Sequence, residues 1–183
     1  MSSERNILLS QLKFDKVDPK NKEHAEVFIE WHKCIELNKL WVIHKKSVEA
    51  EEYNFTRFQK QFSYKNKEDF SFLIKSNQNY IGHYSLFVNH AACMFKEGKV
   101  AWPSIVIGNI ENRNQGVGKV ICEHLYKSAL ERNCTHIEAG IFEFNTRMIE
   151  ILEALGFVKI GQREKLTFQE GKYWGAPHYL KKI

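Results

Sequence analysis

The stretch from Ile105 to Lys119 constrains this chain more than any other. It reads Ile-Val-Ile-Gly-Asn-Ile-Glu-Asn-Arg-Asn-Gln-Gly-Val-Gly-Lys: an apolar strand feeding a polar, glycine-containing loop. The loop opens directly into a helix whose buried face is Val117, Val120, Ile121, Leu125 and Ala129. The first amides of a helix have no partner within it, and the helix dipole adds partial positive charge there. Such an end suits an anion, and phosphate or pyrophosphate best. Gly116 and Gly118 let a ligand approach the backbone, and Arg113 and Lys119 bring positive charge to the same place. The spacing is neither GxGxxG nor GxxxxGK[ST], which weighs against a dinucleotide or nucleoside-triphosphate site. An ordinary strand-to-helix turn would use the same glycines.

The elements around this unit set the fold class. A strand is expected over Ile7–Val17, broken at Asp18-Pro19. A helix follows over Asn21–Leu37, with Phe28, Trp31 and Ile35 at helical intervals. A second helix is expected from Ser47 as N-cap, with Phe55, Phe58 and Phe62 as its apolar stripe. Strands over Phe70–Lys75, Tyr80–Asn89 and Lys99–Ile107 are separated by turns at Asn77-Gln78-Asn79 and Glu97-Gly98, which predicts an antiparallel meander. After the helix that ends near Arg132 come a strand over Thr135–Ile141 and a helix over Asn145–Leu155 closed by Gly156. A final hairpin, Phe157–Phe168 and Lys172–Leu180, turns at Glu170-Gly171. This order predicts an α+β domain with a mixed, mostly antiparallel central sheet flanked by helices, not repeated βαβ units.

Composition closes off other classes. With 183 residues, the chain is expected to be one domain over 1–183. Its 43% hydrophobic and 13% aromatic content can bury a core, which argues against disorder. The longest apolar run, Ala91–Phe95, is far short of the roughly 20 residues of a spanning helix. The N-terminus lacks the apolar stretch of a signal peptide, so a cytoplasmic protein without membrane attachment is expected. Cys34, Cys93, Cys122 and Cys134 show no CxxC spacing and read as reduced, mostly buried thiols. No HExxH or paired-cysteine set appears, so no metal is expected. The net charge of +5 is modest and comes without an RNA-reading aromatic motif, which argues against a nucleic-acid partner.

Arg113-x-x-Gly116-x-Gly118, followed by Asn145 through Gly156-Phe157, resembles the GNAT superfamily of acetyl-CoA-dependent N-acetyltransferases. Ile107-Gly108-Asn109 and the closing Gly171–Leu180 segment look like its branch that acetylates ribosomal proteins and protein N-termini. The resemblance implies acetyl-CoA as co-substrate and a primary amine as acceptor, on a small molecule or a protein N-terminus. It implies that Ile105, Val106 and Ile107 expose backbone groups to the pantetheine arm and thioester. The amides of Asn114, Gln115, Gly116, Val117, Gly118 and Lys119 would hold the pyrophosphate beside Arg113, and Asn145 would bond the cofactor. Asn145 is equally suited to plain N-capping.

Two positions depart from the family pattern. Leu152 stands where many members carry a thiolate-protonating Tyr, and Met148 stands where some carry Ser. A thiolate is a tolerable leaving group, so backbone stabilisation of the oxyanion carries more of the catalysis. The departures also leave open a non-catalytic acyl-CoA-binding protein on the same scaffold. The amine must be neutral to attack, so a base or a water chain is expected. The candidates are Tyr84 or His83 on the meander, Glu138 or His136 on the strand before Asn145, and Tyr173 on the last hairpin. Strands near the C-terminus allow either a monomer or a homodimer.

Overall fold

Seven strands hydrogen-bond into one sheet in the order β1-β2-β3-β4-β5-β7-β6. The computed structural model describes residues 12–45, 52–64, 66–108, 110–113 and 115–183. Its strands are β1 (Leu12–Lys16), β2 (Phe70–Ser76), β3 (Asn79–Val88), β4 (Val100–Ile107), β5 (His136–Gly140), β6 (Val158–Gln169) and β7 (Lys172–Lys182). Among the described residues five α-helices accompany them: α1 (Lys22–Lys33), α2 (Ile35–Trp41), α3 (Phe55–Phe62), α4 (Val117–Glu131) and α5 (Thr146–Ala154). Every strand pair is antiparallel except β4 with β5. The expected α+β class with a mixed, mostly antiparallel sheet is therefore the observed one.

The turns follow residue chemistry. Glu170 and Gly171, at φ 53° and 79°, form the two-residue left-handed turn that matches the twist of a hairpin. Asn77, at φ 54°, closes β2 on β3, and Gly156 closes α5 at φ 80°.

Two helices differ from expectation. The predicted helix over 21–37 is broken at Cys34, which takes extended dihedrals (φ −74°, ψ 108°). Its amide still caps Trp31 O, and Asn38 Nδ2 donates to His32 O at 2.7 Å, so the corner is held by one backbone bond and one side-chain bond, the latter invisible to periodicity. The next helix starts at Phe55 rather than after Ser47, because Asn54 is the cap, accepting from Arg57 N. Ser47 and Glu49 lie outside the described residues, as does the predicted start of the first strand.

Each face of the sheet buries its own cluster. On the back, α4 lays Val117, Ile121, Leu125 and Ala129 over Ile74, Tyr84 and Leu86. On the front, α1, α2 and α3 bring Phe28, Trp31, Leu37, Phe58 and Phe62 onto Leu73 and Val106. A smaller cluster under α5 joins Leu152 to Ala139 and Tyr179. The β6–β7 hairpin tip then docks on the segment after α2. Phe168 N donates to His44 O at 2.8 Å, and His44 N donates to Thr167 Oγ1 at 2.9 Å. Gln169 Nε2 donates to Lys39 O at 3.0 Å.

Candidate active site

The site follows from one irregularity in the sheet. β4 stays in register with β3 from Gly82↔Ile107 to Val88↔Ala101. It pairs with β5 only at Val100↔His136 and Ala101↔Ile137. From Trp102 onward the two parallel strands part. Backbone groups alternate sides along a strand. Asn89 N bonds Val100 O and Gly108 N bonds Ile81 O, so even-numbered positions of β4 serve the β3 ladder. The odd ones, Pro103, Ile105 and Ile107, turn their main-chain groups into the gap. Pro103 has no N–H to strand there, which suits a proline at the point of parting. The Arg113 guanidinium donates to Ile107 O at 3.2 and 3.4 Å. Ile105 N–H, Ile105 C=O and Ile107 N–H are left along one wall of the gap, a pattern able to receive an extended amide-bearing chain as an added strand.

At the top of this wall the chain turns through a short 3₁₀ segment, Ile110–Asn112, into α4. Gly116 is the N-cap in the left-handed region, and Lys119 N and Val120 N both bond its carbonyl. The amides of Val117 and Gly118 stand ahead of that ladder. Apart from its chain neighbours and its own helix backbone, no described atom lies within 4 Å of where a Cβ on Gly118 would be, so the surface above it is open. The predicted side chains act differently from the predicted amides. Arg113 is folded back onto β4, Gln115 Nε2 donates to Glu111 O at 2.7 Å, and Lys119 is exposed, 3.9 Å from Glu123. Asn114 and Asn109 lie outside the described residues. Across the gap, Asn145 caps α5, its Oδ1 accepting from Met148 N at 3.4 Å. Leu152 is a core residue, and Met148 packs on the same cluster.

Tyr84, Glu138 and Tyr173 are not brought together. Tyr84 is buried on the back face, stacked on Phe72, with its hydroxyl bonded to His124 Nδ1 at 2.8 Å. Burial holds its phenol above the usual range. Tyr173 is 48% exposed beside Phe168 at the hairpin tip. Glu138 has no exposed surface and spends both oxygens on the protein. Oε1 accepts from Met94 N at 2.7 Å and from His178 Nδ1 at 2.6 Å, and Oε2 accepts from Phe95 N at 2.9 Å. Glu138 thus presents no free oxygen to an amine.

The two candidate histidines differ as well. His136 is bonded to Thr135 Oγ1 at 2.9 Å. His83 lies buried on the front face, bonded through Nε2 to Ser85 Oγ at 2.8 Å, and a hydroxyl chain runs on to Ser71 and Tyr64. Burial among Phe28 and Phe62 pulls its imidazole down to about 3. Burial also pushes up the thiols of Cys122, Cys134 and Cys93, the last to about 11 with help from Glu138, so none is an activated nucleophile.

Sequence reading missed His178 and Trp102. His178 pairs with Gly140, and its ring centroid lies 5.3 Å from that of Trp102. A Cβ on Gly140 would stand 2.8 Å from Trp102 Cη2 and 3.1 Å from His178 Nε2. Glycine at 140 therefore lets both rings meet where β4 and β5 part. The pair Glu138–His178 spans 40 residues, and only the insertion of β7 between β5 and β6 makes it adjacent. Among the described residues, no group of three or more His, Cys, Asp or Glu side chains gathers to hold a metal. None of the described helices is long and apolar enough to cross a membrane.

The same architecture occurs in solved structures. The spermidine N-acetyltransferase from Vibrio cholerae, in complex with CoA and spermine, superposes with a TM-score of 0.70 at 17% identity, over 94% of this chain and 96% of that one. An N-acetyltransferase from Staphylococcus aureus Mu50 gives 0.71 at 13% identity, over 93% and 98%. A GCN5-related N-acetyltransferase from Kribbella flavida gives 0.70 at 14% identity, over 96% and 99%. These likenesses establish the fold. Among curated proteins no sequence relative is found. The model of the acetyltransferase (GNAT) family matches residues 29–157, well over half of the sequence and including the parted strands, the loop and α4, and the chain belongs to that family.

Proposed function

We propose that this protein transfers the acetyl group of acetyl-CoA to a primary amine, on a small molecule or a protein N-terminus, by direct attack in a ternary complex without an acyl-enzyme. The observation that carries the reading is the parting of β4 from β5 after Ala101, directly below the open N-terminus of α4. The pantetheine arm would pair with Ile105 and Ile107. The diphosphate would meet the amides from Gln115 to Gly118, the Lys119 amide being spent on the Gly116 carbonyl, and Asn145 would face the cofactor from the other wall. An amide of β4 aimed at the thioester oxygen stabilises the charge that develops there, the largest single contribution available to an acyl-transfer site. Leu152 and Met148 lie in the α5 cluster and can donate no proton to the thiolate; solvent serves, because a thiolate leaves readily. The resemblance of the closing Gly171–Leu180 segment to the branch that acetylates protein N-termini favours an acceptor of that kind.

Calorimetric titration with acetyl-CoA and CoA tests the reading, followed by detection of released thiol over a panel of amines and peptides. Binding to both nucleotides is expected. Gly118→Leu is expected to abolish it while the protein stays folded, because a Cβ there stands in open space on the face offered to the diphosphate. No binding at millimolar acetyl-CoA refutes the reading, and undiminished affinity in Gly118→Leu places the diphosphate elsewhere. Binding without thiol release across the panel would favour the rival reading of an acyl-CoA-binding protein, which the loss of both proton-donor positions motivates.

A further inference from the structure

We infer that His178 is the general base of the transfer and that Glu138 is its positioning residue; this rests on the acetyl-transfer reading above. An ionised carboxylate only accepts hydrogen bonds, so the 2.6 Å contact to Glu138 Oε1 requires the proton on Nδ1 of His178. In the neutral ring the lone pair then sits on Nε2. Among the described residues Nε2 takes no hydrogen-bond partner, and it is the ring atom turned to Gly140 and Trp102, at the floor of the gap between β4 and β5.

Glu138 is itself immobilised by the amides of Met94 and Phe95. The imidazole is thereby held in one tautomer and one orientation, the logic of a carboxylate–histidine pair in acyl transfer. Glycine at 140 is part of the device, because any side chain would occupy the space in front of Nε2. The other titratable groups nearby are Cys93, which is raised by burial and by Glu138, Lys96 on the same segment, and His90 and Arg163 beyond Trp102. Among these groups Nε2 is the one placed at the point where the strands part.

The chemistry balances without a further reagent. Nε2 takes one proton from the acceptor ammonium. The freed nitrogen lone pair forms the C–N bond to the thioester carbon while the carbonyl electrons move to oxygen. When the carbonyl re-forms, the C–S bond breaks and its electron pair leaves on the CoA sulfur. The second proton lost from nitrogen passes to solvent, solvent protonates the thiolate, and the imidazolium returns its proton to water. The products are the acetamide, the CoA thiol and one proton.

The experiment compares the intact protein with His178→Gln, which keeps a donor toward Glu138 but has no basic nitrogen. Acetyl-CoA affinity is measured by calorimetry and kcat by thiol release from pH 5 to 9. The variant is expected to bind acetyl-CoA within threefold of the parent, lose 10²–10⁴-fold in kcat at neutral pH, and lose the parent's acid limb. Nitrogen-15 spectra of the imidazole are expected to show an Nδ1–H, bare-Nε2 tautomer in the parent and a mixture in Glu138→Gln, with kcat falling and the acetyl-CoA affinity held. Unchanged kcat and an unchanged acid limb in His178→Gln overturn the assignment and leave the transferase reading intact. If His178→Gln does not fold, the parent spectrum decides, and an Nε2–H tautomer overturns the assignment. A parent that binds no acetyl-CoA overturns the transferase reading itself, and the base with it.

Discussion

Replacing Ile105 by proline removes a single N–H from the wall of the gap and should separate catalysis from folding. The Ile105 amide faces away from β3, since the ladder bonds of β4 fall on even-numbered positions. Its loss therefore breaks no strand pairing, as the native proline two residues earlier illustrates. Ile105→Ala is the matched control: it also gives up most of the half-buried side chain but retains the N–H. Both should lose stability through packing against the back cluster, on the order of 1–3 kcal/mol. At about 2–4 °C per kcal/mol for a chain of this length, their melting temperatures should fall by similar amounts.

Activity should differ between the two. Removing one preorganised donor to a developing oxyanion costs about 10²–10³ in kcat, or ~2.7–4 kcal/mol of transition-state stabilisation. Thiol release at saturating acetyl-CoA should therefore be near parental for Ile105→Ala, after correction for folded fraction, and two to three orders lower for Ile105→Pro. A Val106→Pro variant completes the set. Its N–H serves His83 across the ladder, and losing it strands a buried carbonyl at ~1–3 kcal/mol in addition to the packing lost. Equal kcat in Ile105→Pro and Ile105→Ala would refute the assignment of that amide to the thioester. A stability loss in Ile105→Pro as large as in Val106→Pro would refute the alternation on which it rests.

Two further outcomes test the packing and the buried charges. Gly108→Ala should cost ~1–3 kcal/mol in urea unfolding with an unchanged m value, because its Cβ would stand 2.2 Å from Nε1 of the buried Trp31; parental stability would show that Trp31 does not lie over the end of β4. For His83, the folded imidazole is held near 3 against 6.5 in the unfolded chain, so the unfolded state binds the extra proton between those values. Its contribution is complete above pH 6.5 and is lost as pH falls toward 3, at up to ~1.4 kcal/mol per pH unit. His83→Gln should accordingly flatten the decline of unfolding free energy between pH 6.5 and 4, and a decline parallel to the parent's would refute the buried neutral imidazole.

What could be read from residues alone was whatever is encoded within a few positions along the chain. Asn77, Glu170-Gly171 and Gly156 mark their turns because left-handed dihedrals select a few residue types, and the apolar periodicity of 117–129 marks the buried side of α4. The loop ahead of that helix disclosed its open glycine-led end for the same local reason, while the side chains of Arg113, Gln115 and Lys119 turn to Ile107, Glu111 and Glu123. The break at Cys34 escaped because Asn38 enforces it through a side-chain bond that no pattern of hydrophobicity records. Strand order is set by burial and pairing between distant segments. Only the folded sheet could thus show that β4 leaves β5 after two residue pairs, and that β7 carries His178 to the buried carboxylate of Glu138. Chemistry spread over 40 residues becomes a site when tertiary packing excludes water from it, and exclusion of water is a property of the whole fold.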